Sequence, residues 1–445
     1  MNIRNFSLAL ILAAVCVPSQ ATDTEEQQEF DSPLILKASE VLSAETLRGE
    51  HHQVREEIVN DGFMNTYVID SPFGTFEAYG ASMLRTRINE IGALAELDGL
   101  SKTKVFMEAA AQSAVRAVTA PVSAATTIVT NPIGTVTGLP GGLARMFNRQ
   151  KRKVEGAVAT TASAAKSATS ADDSGDEASM AEQAGEGAVE LGKSLMGTTR
   201  AERRWAKKLG TDPYTSNETL RKAIADVAVV DSSGSFLADL AVPIGGIVDL
   251  VVDVNEAIWE RDAYELRQMN LVKLQGMGVA EEEANAFLEN VAISPTIQTL
   301  IISGLELLET TEGRDAFLRQ ATLAEDEAES RFYLQSLAMI AWLNQEGENV
   351  AAITVHGPVS IAVDTDGNRV AMLPVDHLTW NPTTVEAVGL WPMREPDVSS
   401  DDWVYVSGDI SGLARGHLEQ AGWSARSKIA RDFFTYLGSQ ESDEP

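Results

Sequence analysis

Residues 51–80 read HHQVREEIVNDGFMNTYVIDSPFGTFEAYG and are rich in β-branched and aromatic side chains. Two turn sequences interrupt this stretch, Asn60-Asp61-Gly62 and Pro72-Phe73-Gly74. Asn, Asp and Gly tolerate a positive φ, and proline presets the first dihedral angle of a turn. The pattern therefore predicts a three-stranded antiparallel β-meander.

The residues that follow the meander change to helical spacing. Between Met83 and Leu97, apolar side chains recur every three or four residues, which places them on one side of a helix. This stripe contains Leu84, Ile88, Ile91 and either Leu94 or Leu97. We expect the helix to cover one face of the sheet, so that residues 51–103 form a β-meander plus helix.

The C-terminal region, residues 351–437, returns to strand-like alternation. The sequence DTDGN at residues 364–368 is typical of a hairpin turn. Strands are predicted over Ile353–Val363, Arg369–Val375 and Trp403–Ser407, a helix over Leu413–Ala421, and a last strand from Trp423 after a capping Gly422. These elements predict a small C-terminal α/β unit.

Residues 200–350, between these two regions, are predicted to be a central all-α helical bundle. Thr215 and Glu218 match a T-x-x-E capping box, and Ser294-Pro295 offers an N-cap followed by proline at the first helical position. Short connectors imply antiparallel neighbours. Further helices are expected over Glu256–Leu274, Glu281–Val291, Pro295–Leu308, Arg314–Leu323 and Asp326–Gln345. The chain is thus predicted to be a multidomain α+β protein.

The N-terminus has the three parts of a secretory signal peptide. Arg4 supplies positive charge, Phe6–Val17 is apolar or small, and Ser19-Gln20-Ala21 is a small-x-small cleavage sequence. The apolar part is too short for a hydrocarbon core of about 30 Å. We predict cleavage after Ala21, a tail and lead-in over residues 22–50, and a periplasmic or secreted location.

The only cysteine, Cys16, lies within this signal. Val15 precedes it, where a lipoprotein signal has a small residue, so we favour cleavage over lipid attachment. Removal of the signal leaves a chain without cysteine. That excludes disulfides, thiolate metal sites and a cysteine nucleophile from the exported form.

The composition is strongly acidic, with 35 Lys and Arg against 65 Asp and Glu and a formal net charge of -30. Nucleic-acid affinity comes mainly from cations that displace condensed counterions, so we expect no nucleic-acid partner. Hydrophobic residues make up 44% of the chain, which is enough for a folded core.

Two segments of biased composition precede the helical region. Residues 104–163 are rich in Ala, Thr and Gly and end in a basic cluster. Prolines within residues 117–153 oppose a continuous membrane helix, so this segment either packs on the protein's own helices or contacts a membrane surface. Residues 164–199 are predicted to be an acidic low-complexity linker, and residues 438–445 an acidic tail.

Two stretches carry a resemblance to other sequences. LRGEHHQVREEIVNDGFMNTYVIDSPFGTFEAYG at residues 47–80 and LGTDPYTSN at residues 209–217 resemble uncharacterised exported proteins of proteobacteria. The resemblance implies export and a common architecture for these segments. It implies no activity and no catalytic residues.

Candidate metal ligands are sparse. His51 and His52 are adjacent, and neighbouring side chains on a strand point to opposite faces, whereas His52 and Glu56 share a face. Zinc takes three or four protein ligands, which this pair does not complete. The turn at Asp364 begins like a calcium loop but lacks the closing Glu. No zinc-protease, Walker A or dinucleotide motif occurs. We predict no metal and no cofactor.

One catalytic set can be assembled from the C-terminal residues Ser411, His377 and Asp409. A G-x-S-x-G nucleophile elbow is missing, so the set is a hypothesis from residue types alone. The sequence GDISG at residues 408–412 lies between a predicted strand and a predicted helix. We favour the interpretation that Ser411 is the N-cap of that helix.

These observations favour an exported non-catalytic envelope protein with a scaffolding or binding role, whose partner is another envelope protein. One alternative is a membrane-surface-associated protein that uses residues 117–153. A second is an unrecognised hydrolase with a site in the C-terminal α/β unit. The sequence leaves the oligomeric state open.

Overall fold

A computed structural model describes residues 30–112, 143–149, 198–231, 252–392 and 401–429. The predicted signal peptide, most of the 117–153 segment, nearly all of the acidic linker and the acidic tail lie outside these residues. The described part is a mixed α+β protein, as predicted, with an N-terminal antiparallel sheet, a helical middle region and a C-terminal sheet with helices.

The N-terminal sheet contains the predicted meander. Its strands are β1 (Ile35–Lys37), β2 (Gln53–Val54), β3 (Glu57–Asn60), β4 (Asn65–Ser71) and β5 (Gly74–Tyr79). β4 lies in the centre, with β5 on one side and both β2 and β3 on the other; β1 pairs with β3, and all pairs are antiparallel. The strand β1 was not predicted. It is followed by two short helices, α1 (Ala38–Val41) and α2 (Ala44–Leu47).

One helix packs on this sheet, and two helices from later in the sequence complete the same hydrophobic cluster. In that order, the helices are α3 (Ala81–Ser101), α6 (Arg200–Leu209) and α7 (Glu218–Val230). In α3, Leu84, Ile91, Leu94 and Leu97 are all buried, which confirms the predicted apolar stripe. They share one hydrophobic cluster with Trp205 of α6. Between them in sequence lie α4 (Lys104–Gln112) and the short helix α5 (143–149).

The middle region consists of α8 (Val252–Glu260), α9 (Ala263–Gly276), α10 (Glu281–Glu289), α11 (Pro295–Glu306), α12 (Arg314–Ala321) and α13 (Glu327–Leu343), with a π-helical turn at Asn344–Glu348. Ser294 is the N-cap of α11, as predicted. The single helix predicted over Glu256–Leu274 is wrong. The chain breaks before Asp262, because Asp262 forms a capping box with Glu265 and starts α9.

The predicted capping box at Thr215 is also wrong. Asn217 is the N-cap of α7, and its side chain accepts the N–H of Leu220. The Thr215 hydroxyl donates instead to the buried Glu90 of α3. A tertiary contact therefore takes the hydroxyl that the local pattern assigned to the helix end.

The C-terminal sheet has the order β12–β10–β8–β7–β6. β6, β7 and β8 form an antiparallel meander, whereas β8, β10 and β12 are parallel. The elements are β6 (Val350–His356), β7 (Val359–Asp364), β8 (Arg369–Leu373), β9 (His377–Leu378), α14 (Pro382–Gly389), β10 (Asp402–Val406), β11 (Asp409–Ile410), α15 (Gly412–Gln420) and β12 (Ser424–Arg426). β9 and β11 form a separate parallel pair.

One predicted strand of this sheet is two strands. The segment Ile353–Val363 contains a tight turn at Gly357-Pro358, which separates β6 from β7. Gly357 has a φ of 60°, a conformation that glycine adopts at little cost. The meander β6–β7–β8 and the central helices share a second hydrophobic cluster, which also contains Leu143 and Phe147 of α5.

Candidate functional site

The structure brings the three candidate catalytic residues to the β9–β11 pair. The register places His377 opposite Asp409. Ser411 follows β11 directly, and its N–H donates to the carbonyl of Leu378 at 2.9 Å. His377 and Asp409, 32 positions apart in the sequence, are therefore neighbours in space, as the catalytic hypothesis requires.

The imidazole of His377 lies between charges of both signs. Burial lowers the pKa of His377, Asp409 and Asp31 oppose that shift, and Lys428 adds to it. Lys428 Nζ lies 3.0 Å from Asp409 Oδ1. A neutral imidazole of this kind can accept a proton. Within the described residues, however, no hydrogen bond joins the His377 ring to Ser411.

The Ser411 hydroxyl is engaged in two structural contacts. It donates to Asp31 Oδ2 at 2.5 Å, and it accepts the N–H of Ala414 at 3.0 Å. Ser411 is thus the N-cap of α15, as predicted. A serine nucleophile needs a general base aligned with its proton and a free path to substrate. Here the proton points to a carboxylate that has further structural partners.

That carboxylate belongs to Asp31, at the end of the polar N-terminal tail, and its other partner is Trp380. The N–H of Asp31 donates to the Trp380 carbonyl at 2.9 Å, and the Asp31 carboxylate accepts the Trp380 N–H at 2.6 Å. The Trp380 ring stacks on His417 with centroids 4.4 Å apart. We call the contacts of Asp31 with Trp380 and Ser411 the Asp31 clasp. It fastens the beginning of the described chain to the C-terminal unit.

The candidate metal ligands are engaged elsewhere. His52 lies in the turn before β2, and its Nε2 is 3.1 Å from the carbonyl oxygen of Thr46. Glu56 accepts a hydrogen bond from Ser39 at 2.5 Å. The Asp364 carboxylate accepts two main-chain N–H groups and the amide of Asn368, which closes the turn between β7 and β8. Among the described residues, no group of three His, Cys, Asp or Glu side chains is placed to hold a metal ion.

The motif LGTDPYTSN, residues 209–217, forms the connection between α6 and α7 and contacts several other helices. The Tyr214 hydroxyl donates to the carbonyl of Arg261, after α8. Asp212 accepts the Thr296 hydroxyl of α11 at 2.5 Å. The Asn217 amide donates to Glu90 at 2.9 Å. These contacts explain the motif as a structural connector.

An ion network lies beside this connector. Arg87 of α3 contacts Glu90 at 2.7 Å and Glu327 of α13 at 3.3 Å. Burial alone would raise the pKa of Glu327, but the charges of Arg331 and Arg87 outweigh it and lower that pKa to about 2. The network therefore holds an ionised glutamate between the N-terminal and middle helices.

The described part of the 117–153 segment packs on the protein itself. In α5, the apolar side chains of Leu143 and Phe147 are buried, and the Phe147 ring stacks on Phe63 at 4.5 Å. The basic side chains face acids of α13 and the residues before it: Arg149 contacts Glu329 at 2.6 Å. Arg145 similarly contacts Asp326 at 3.0 Å. These two cations are neutralised within the protein.

A concave surface on the C-terminal sheet is a candidate binding site among the described residues. Its volume is about 160 Å³. It is lined by Leu343, Glu348, Val350, Ala362, Asp364, Asn368, Val370, Asp401, Trp403 and Tyr405, and we call it the sheet concavity. Trp403 and Tyr405 are two residues apart on β10, which places their side chains on the same face of the sheet. Their ring centroids are 6.4 Å apart. The guanidinium of Arg426 lies 5.5 Å from the centre of the Tyr405 ring.

The sequence interpretation did not identify this surface or Asp31. The i, i+2 spacing of Trp403 and Tyr405 on a predicted strand was a usable signal, because it places two aromatic rings on one sheet face. The carboxylates of Glu348 and Asp401 come from separate connections, and no local pattern links them to that strand.

Comparisons with known proteins add no family. No family model matches the chain, and neither the curated proteins nor the solved structures contain a match. Of the helices in the described ranges, none combines the length and apolar character needed to cross a membrane.

Proposed function

We propose that the protein is an exported, non-catalytic envelope protein that binds another envelope protein, and that the sheet concavity receives a cationic side chain of that partner. The observation that carries the proposal is the lining of the concavity. The acidic residues Glu348, Asp364 and Asp401 line a surface that is also lined by Trp403 and Tyr405, and the Asp364 carboxylate is held in its own turn.

Cations bind such surfaces in two ways. Carboxylates attract them directly, and the faces of Trp and Tyr attract guanidinium and ammonium groups through the ring quadrupole. Arg426, which already lies against Tyr405, is an example within the protein. The net charge of -30 adds a long-range field that favours the approach of basic partners.

The contacts of Ser411 and α5 weigh against the two alternatives. A hydrolase with Ser411 as nucleophile would have to open the Asp31 clasp and uncap α15. A membrane-surface protein would have to use basic residues of the 117–153 segment, two of which pair with acids of the protein's own chain.

Binding of a fluorescent peptide of alternating Arg and Gly tests the proposal. Glu348 lines the concavity, whereas Glu346 lies on the same exposed turn and does not. The variants Glu348→Gln and Glu346→Gln change the net charge equally. We expect E348Q to weaken binding about threefold, the effect of one partly exposed ion pair, and E346Q to leave it unchanged. Equal losses would show only bulk electrostatic attraction and contradict a site at the concavity.

A second pair of variants tests the aromatic contribution. Tyr405→Leu removes a ring from the concavity, and Tyr264→Leu removes an exposed ring of α9. Only Y405L should weaken peptide binding. Turnover of general ester or phosphate-ester substrates that is abolished by Ser411→Ala would instead favour the hydrolase, and salt-sensitive flotation with anionic liposomes would favour the membrane-surface protein.

A further inference from the structure

The N-terminal sheet meets the C-terminal unit at a hydrogen-bonded contact, which we call the junction. It consists of the turn between β3 and β4, the first residue of α3, and β9 with the residue on either side of it. The N–H of His377 donates to the Phe63 carbonyl, and the N–H of Thr379 donates to the Gly62 carbonyl, each at 3.0 Å. Opening of the junction would therefore expose these two amides.

Two carboxylates lie at the junction. Asp376 accepts the N–H of Asn65 at 3.0 Å and the N–H of Ala81 at 3.1 Å. Ala81 is the first residue of α3, so this carboxylate stands at the positive end of a helix. Asp61 accepts two N–H groups of its own turn and the Tyr79 hydroxyl.

The charges around these carboxylates are unbalanced. Asp376 faces Arg85 of α3 and Tyr67 of β4, and it also faces Asp61. The Tyr79 hydroxyl on Asp61 in turn faces Asp326 before α13. Asp376 is thus enclosed with one facing cation, Arg85, and with a second carboxylate, Asp61, and like charges brought together disfavour simultaneous ionisation.

We propose that the junction is a proton-dependent clamp, which takes up a proton in mildly acidic solution and then holds the N-terminal sheet and the C-terminal unit together more firmly than at neutral pH. The proton comes from the solvent, and no covalent bond changes. Such a clamp would let an exported protein respond to the pH of its surroundings. The proposal is independent of the sheet concavity and survives if that site fails its test.

The direction of the effect follows from linkage. Burial raises the pKa of Asp376 to about 6, and burial also raises the pKa of Asp61. A carboxyl whose pKa is higher in the folded state contributes stability that is complete below its unfolded pKa. That stability is lost as the pH rises through the folded pKa. The clamp should therefore weaken between about pH 4 and pH 6.

Hydrogen exchange of the full exported chain, read by mass spectrometry, tests the clamp. Peptides covering residues 61–65 and 376–379 are compared at about pH 5 and about pH 7.5, after correction for intrinsic exchange rates. We expect about tenfold greater protection at the lower pH. Asp376→Asn should remove most of the pH dependence and leave the smaller part that Asp61 contributes, whereas the control Asp366→Asn, in an exposed turn, should behave like the wild type.

A second variant keeps the test decisive if D376N does not fold. Arg85→Gln removes the facing cation and leaves both carboxylates in place. Loss of the positive charge should move the midpoint of the protection change to higher pH. Equal wild-type protection at the two pH values, protection that increases with pH, or an unchanged midpoint in R85Q would overturn the proposal.

Discussion

Arg149 and Glu329 form an ion pair with Nη2 and Oε2 2.6 Å apart, and the Glu329 side chain is 1% exposed. The pair joins α5 to α13. Removal of one partner from such a pair leaves an uncompensated charge in the interior, which costs about 3 kcal/mol or more.

Arg149→Gln should therefore lower the free energy of unfolding by about 3 kcal/mol, measured by urea denaturation. The matched control is Arg145→Gln, because the Arg145 side chain is 56% exposed in its contact with Asp326. Exposed pairs contribute 1 kcal/mol or less, so R145Q should change stability little. Equal effects of the two variants would mean that α5 is not fastened through Glu329.

Ser411→Ala should lower stability by about 1–2 kcal/mol, because it removes the N-cap of α15 and the donor to Asp31. Asp31→Ala should have a similar effect through the same contact. The double variant should cost less than the sum of the two, since both changes break one clasp. Ser424→Ala, at an exposed strand position, is the control. Strict additivity of S411A and D31A would argue against a direct contact.

Asp212 should make stability depend on pH. Burial raises the pKa of Asp212 to about 6. The stability that Asp212 adds to the folded state is therefore complete below about pH 4 and is lost as the pH rises through about 6. This changes the free energy of unfolding by on the order of 2–3 kcal/mol. Both hydrogen bonds, from Thr296 and the Tyr214 N–H, end on Oδ1, which Asn retains.

Asp212→Asn should consequently fold and remove this part of the pH dependence. Melting temperatures between about pH 4 and pH 7 provide the measurement, and the junction carboxylates should leave a smaller residual slope in the variant. If D212N and the wild type keep the same slope, Asp212 is not the group that titrates.

The exported form should begin at Thr22. The positive start, apolar stretch and small-x-small sequence motivate this expectation. Intact-mass analysis of the protein isolated from its native host should match a chain that lacks residues 1–21. A form that keeps Cys16 with an attached lipid would refute it.

Local patterns predicted much of the fold. The β-branched and aromatic residues between the two turn sequences predicted the strand that the structure shows as β4, because strand pairing there is set by adjacent hairpins. The Thr215 capping box failed because Glu90, more than 100 residues away, competes for the hydroxyl. No local pattern can report such a competitor.

The site was less predictable than the fold. His377, Asp409 and Ser411 were named from residue type, and the parallel β9–β11 pairing does bring them together. Their chemistry depends on Asp31, which belongs to a polar tail with no strand or helix signal. The sheet concavity likewise depends on the way that β10 pairs with β8, which is a property of the whole C-terminal unit.

The Asp31 clasp also has a consequence for the order of folding. Asp31 contacts residues 349 and 380 positions later in the chain. Closing a loop of that length costs on the order of 5 kcal/mol in chain entropy, which must be offset by contacts already formed. Synthesis delivers Asp31 long before Ser411, so the clasp closes late. Until then the pairing of β1 with β3 holds the N-terminal segment, and a chain truncated before Trp380 could never close the clasp.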